Sequence, residues 1–158
     1  MKELFLPYEE SLELKKLGFY ENCFAIWSGV DEINCSLTDN KRLFSTKFFI
    51  KDTQELRAYF NNKEYIGSLR VSAPTYSQVF KFFRDKFNLI GRVNCSFSNK
   101  RNVLYGFRIQ DKKGNLICFD NDWVSSDEKL FKTWEKAELN CVRKLIELCE
   151  KLKNSYEK

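Results

Sequence analysis

The sequence predicts an α+β fold, and three observations carry that prediction. Large apolar residues recur at three- and four-residue spacing from Tyr76 to Phe87, as one face of a helix requires. Apolar and polar residues alternate within 92–97 and again within 103–110, as strands with one wet face require. A second apolar stripe at helical spacing runs from Trp134 to Leu152 near the end of the chain.

Taken in chain order, the first element is a short helix. Pro7 suits a first turn, Glu9 and Glu10 place negative charge where the helix dipole favours it, and Gly18 before Phe19 supplies a C-terminal stop. Residues 22–28 read as a strand and 43–50 as another, with Thr53 capping a short helix to Phe60 that Asn61 and Asn62 limit. Pro74 then opens the helix lined by Tyr76, Val79, Phe80, Phe83 and Phe87, which Asn88 ends. A strand at 92–97, a polar turn at 98–102 and a strand at 103–110 follow. Gly114, within the turn at 111–115, provides the positive φ that a hairpin needs, and 116–119 returns as the third strand of a meander. Thr133 caps the final helix, whose stripe is Trp134, Ala137, Cys141, Leu145, Leu148 and Leu152.

At 158 residues, 43% hydrophobic, the chain can bury a sizeable core, and the simplest organisation is one domain over 1–158. Fifteen phenylalanines mostly mean core. No stretch is long enough to span a bilayer, and charged residues precede any apolar run at the N-terminus, so the expected location is the cytoplasm. Cys23, Cys35, Cys95, Cys118, Cys141 and Cys149 fall mostly in proposed strands and the last helix, where they are expected to act as small reduced hydrophobes.

The chain has no histidine, which removes the commonest general base and metal ligand and excludes every histidine-dependent triad. No cysteine pair has zinc-knuckle spacing; Cys141 and Cys149, roughly two turns apart on one helix, are better placed for the core. Asp111, Asp120, Asp122 and Asp127 are scattered through turns, where acids are ordinary, and no phosphate-binding glycine loop is present. The expectation is a protein that is not an enzyme and needs neither cofactor nor metal.

Binding is better supported. Lys100, Arg101, Arg108, Lys112 and Lys113 lie on or beside the predicted hairpin, in a chain of net charge +5, and together offer an anion-attracting surface. Singly, each also serves to keep a phenylalanine-rich domain soluble. Of Trp27, Trp123 and Trp134, Trp123 lies among polar residues in 120–128 and is the candidate to stack on a base.

Two resemblances bear on function. The helix, three-strand meander and helix over 74–154 resembles the double-stranded RNA-binding domain, although Thr133-Trp134-Glu135-Lys136-Ala137-Glu138 carries glutamates where that family has cations. The blocks 6–19, 73–84 and 135–147 resemble small uncharacterised proteins of Bacteroidota bacteriophages and mobile elements, with 31–72 departing from the pattern. The second resemblance implies a phage accessory protein in bacterial cytoplasm. The resulting expectation is a non-enzymatic anti-defence protein, acting as a homo-oligomer, that sequesters a nucleotide-derived immune signal. The alternatives are nucleic-acid binding through the same hairpin and inhibition of a host defence protein by direct contact.

Overall fold

A computed structural model describes residues 2–27, 33–35, 70–97, 103–119 and 130–156. The fold is α+β, and its contacts divide the chain into two compact units, Met1–Tyr76 and Ser77–Lys158. The strand and short helix expected at 43–50 and 53–60 lie outside the described residues, as do the segments holding Lys100, Arg101 and Trp123.

In the first unit a 3₁₀ turn, Lys2–Leu4, precedes helix α1, Tyr8–Lys16. Its C-terminal stop is the one the sequence signals: Gly18 takes φ 83°, its N–H donates to Lys15 O at 3.0 Å, and the Phe19 N–H reaches back to Leu14 O at 2.9 Å. This pair of bonds satisfies carbonyls that the helix end would leave orphaned, while Leu14 and Phe19 are both fully buried. Three short strands, β1 (Ala25–Trp27), β2 (Ile33–Cys35) and β3 (Val71–Ala73), form an antiparallel sheet in the order β2-β1-β3. Phe5, Ala25, Trp27, Val71 and Ala73 make its core, and the Trp27 indole donates to Leu6 O at 2.9 Å.

The second unit holds helix α2 (Tyr76–Phe87) from its second residue onward, the meander β4 (Leu89–Phe97), β5 (Val103–Asp111) and β6 (Leu116–Phe119), and helix α3 (Trp134–Tyr156). Helix α2 begins two residues later than Pro74 suggests, because the chain before it is held extended: Pro74 O accepts from Leu6 N and Thr75 bridges to Phe5. Its buried side chains are Val79, Phe82 and Phe83; Phe82 meets Phe83 edge-on at 5.4 Å. Asn88, at φ 59°, turns the chain from α2 into β4 in a single left-handed residue, a conformation asparagine tolerates better than most. The strand therefore starts at Leu89, three residues earlier than its alternation suggests.

Both helices pack on one face of the sheet. A Cβ added at Gly91 would lie 2.8 Å from Cys141 Sγ, 3.0 Å from Leu145 Cδ1 and 3.0 Å from Phe80 Cε1, so α2 and α3 converge on that strand. Phe107 stacks on Phe131 at 6.3 Å, and Tyr105 meets Trp134 edge-on at 5.9 Å. Phe131 bonds to Tyr105 through both backbone groups, at 2.8 and 2.7 Å, on the edge of β5 that β6 occupies further along. The buried stripe of α3 is Ala137, Cys141, Val142, Leu145, Ile146 and Cys149. Trp134 and Leu152, expected on that stripe, are 42% and 43% exposed.

Candidate functional site

The face of the sheet turned away from α2 and α3 is set by strand alternation. With Gly91, Tyr105, Phe107 and Ile109 toward the helices, the opposite face carries Ile90, Arg92 and Asn94 from β4 and Leu104, Gly106, Arg108 and Gln110 from β5. Antiparallel register pairs Arg92 directly with Arg108. Like charges placed directly opposite on a sheet repel. No acidic residue occupies a position on this face of either strand to offset them. Helix lysines are treated differently: Lys81 lies 3.1 Å from Asp85, and Lys144 and Lys151 lie 2.8 and 2.6 Å from Glu147. Among the described residues, neither sheet arginine has such a carboxylate partner.

Arg92 is exposed and Arg108 half-buried. The Nε of Arg108 is removed from solvent yet has no hydrogen-bond acceptor among the described residues. A buried donor left unsatisfied costs about 1–3 kcal/mol, and more when charged. An anion laid across the two guanidiniums would remove that cost and the mutual repulsion together, since charge-assisted bonds to a planar guanidinium fork are among the strongest available.

Lys112 and Lys113 stand exposed in the β5–β6 turn, about 10 Å along the strand from Arg108. The turn is built on Asp111. Its Oδ1 accepts from Lys113 N and Asn115 N at 2.8 Å each, its Oδ2 accepts from Asn115 Nδ2 at 2.7 Å, and Gly114 takes φ 89° as the sequence requires. The Asn115 amide, with the backbone N–H groups of the turn behind it, holds the Asp111 carboxyl below its ordinary value. A depressed carboxyl pKa means that the turn's stabilisation is present above the unfolded value, about 3.9, and is lost as pH falls through the folded one. The amide resonances of Lys113 and Asn115 should therefore titrate with a midpoint below about 3.9; a midpoint at or above that value would show that the carboxylate does not hold the turn.

Of the residues singled out from the sequence, the structure places Arg108 at the centre of the sheet face and Lys112 and Lys113 at its edge; Lys100, Arg101 and Trp123 lie outside the described residues. Arg92 escaped notice. Its signal was nonetheless present: Phe97 pairs with Val103, and counting back along both strands from that pair brings Arg92 opposite Arg108.

The thiols contribute no nucleophile at the three buried positions. Burial pushes Cys23, Cys141 and Cys149 each up to about 12, while Cys95 is exposed and Cys118 half-buried. Among the described residues no cluster of three or more acidic or cysteine side chains is arranged to hold a metal ion, and no helix is long and apolar enough to cross a membrane. Compared with known proteins, the chain matches no protein-family model, no curated protein and no solved structure.

Proposed function

We propose that this protein is a non-enzymatic binding module that captures a phosphate-bearing, nucleotide-derived ligand on the Arg92–Arg108 face of its second unit. The observation that carries the reading is the arginine pair itself: two guanidiniums in direct register, one with a buried Nε that has no acceptor among the described residues, on a face to which neither β4 nor β5 contributes an acid. Capture without turnover fits a chain that lacks histidine and whose buried thiols are held protonated. In the setting suggested by the phage-protein resemblance, the captured molecule is a nucleotide signal of host immunity, and sequestration is the biological effect.

Calorimetry with a panel of mononucleotides and cyclic dinucleotides tests this. At least one should bind, and Arg92→Ala and Arg108→Ala should each weaken it about tenfold to hundredfold, the loss of a charge-assisted hydrogen bond worth about 1.5–3 kcal/mol. Binding indifferent to both arginines would overturn the site, and recovery of a chemically altered ligand after heat release would overturn capture in favour of catalysis.

A second reading is favoured by the spread of the cations, which continue from the arginine pair to Lys112 and Lys113. A strand of nucleic acid would contact all four. Its affinity would fall with salt at a logarithmic slope of about −3 to −4, whereas a compact ligand held by the arginines would show a shallower slope.

A further inference from the structure

The edge strand β4 and the central strand β5 carry the same three-residue pattern: Arg92-Val93-Asn94 on β4 and Arg108-Ile109-Gln110 on β5, an arginine, an apolar residue toward the helices, then a carboxamide. The register sets the two patterns antiparallel about the arginines, with Ile90 opposite Gln110, Arg92 opposite Arg108 and Asn94 opposite Gly106. The result is a local two-fold arrangement whose axis passes between Arg92 and Arg108, perpendicular to the sheet. Along that face the order is carboxamide, arginine pair, carboxamide. Successive positions on one face are about 7 Å apart, so the amides lie about 7 Å to either side of the cations and about 14 Å from each other.

A ligand that matches this arrangement has its own two halves related by a two-fold, with negative charge at the centre and a hydrogen-bonding edge at each end. We infer that the site takes a dinucleotide: two nucleosides joined through phosphate, the phosphates over Arg92 and Arg108 and one base beside each of Asn94 and Gln110. A carboxamide offers one donor and one acceptor in the plane, which adenine matches through N6 and N7. Both amides are half-buried, and no hydrogen bond of either side chain is made among the described residues, so each is available to a base edge. This inference rests on the arginine face being the binding site, and it adds the division of the ligand into two halves.

The test compares cyclic di-AMP with AMP by calorimetry on the full chain, using wild type, Asn94→Ala, Gln110→Ala and the double variant, each checked for an unchanged thermal midpoint. Cyclic di-AMP should bind at least tenfold more tightly than AMP. Each amide variant should lose about tenfold for the dinucleotide, the double variant should bring it to the level of AMP, and Arg92→Ala should weaken both ligands. Equal affinity for the two ligands, or cyclic di-AMP binding unmoved by the amide variants while still dependent on Arg92, would overturn the dinucleotide inference and leave the phosphate site standing. Arginine-independent binding of both, or no binding of either, would overturn the site as well.

Discussion

Trp27→Ala is expected to destabilise the first unit by about 4 kcal/mol, within the range for deleting a buried aromatic from a core. The indole is 4% exposed on the central strand of its sheet, with Ile33 opposite on β2 and Val71 opposite on β3. Around it lie Phe5, Ala25 and Ala73, so the chain has few ways to refill the space without moving two neighbouring strands. The hydrogen bond contributes less than the volume. Leu6 O, which accepts from the indole, also accepts from Ser11 Oγ at 3.1 Å, so truncation does not orphan the carbonyl. Trp27→Phe separates the two effects: it keeps most of the apolar volume and should cost about 1–2 kcal/mol. Urea unfolding followed by far-ultraviolet circular dichroism measures both, and a loss under about 1 kcal/mol for the alanine variant would show that the sheet does not depend on this residue.

The second large effect is expected at Gly91. Valine there should destabilise the second unit by about 3 kcal/mol, because its Cβ alone would press against Cys141 Sγ at 2.8 Å, and its methyl groups would drive into Leu145 and Phe80. Neither helix can retreat independently, since Cys141 and Leu145 lie on the buried face of α3 and Val79 and Phe83 anchor α2. Cys141→Ala removes the closest obstructing atom. In the Gly91→Ala background it should recover at least half of the loss, giving a coupling energy of about 1 kcal/mol in a double-mutant cycle. Strict additivity of the two changes would show that the close approach is relieved elsewhere.

The second unit was largely legible from sequence because its signals are long. Nine-residue strands and a helix of three turns or more give periodicity room to repeat, and Gly114 stands where only a left-handed backbone will do. The three-residue strands β2 and β3 were not legible, since a run that short shows no period. Val71, Ser72 and Ala73 are all fully buried, and a strand covered on both faces does not alternate at all. The candidate site divided along similar lines. Arg108, Lys112 and Lys113 announced themselves by charge, whereas Arg92 gained meaning only from the residue across the ladder. Charge can be counted in one dimension, but opposition is a property of two strands.

The two sheets also differ in how far the chain must travel to close them. In the second unit each strand pairs with the next, Phe97 with Val103 and Gln110 with Leu116, so each pairing needs only a short turn to close. In the first, Ala25 pairs with Ala73, and β1 cannot be completed until a segment of 48 residues (73 − 25) has been brought round. The entropy of closing such a loop grows only slowly with its length, but it must be met before any contact rewards it. On a ribosome, β1 emerges well before the strand that flanks it. For that interval Trp27 and Ile26 remain without one wall of their core, so the N-terminal sheet waits for its last strand while the C-terminal meander can zip as it is made.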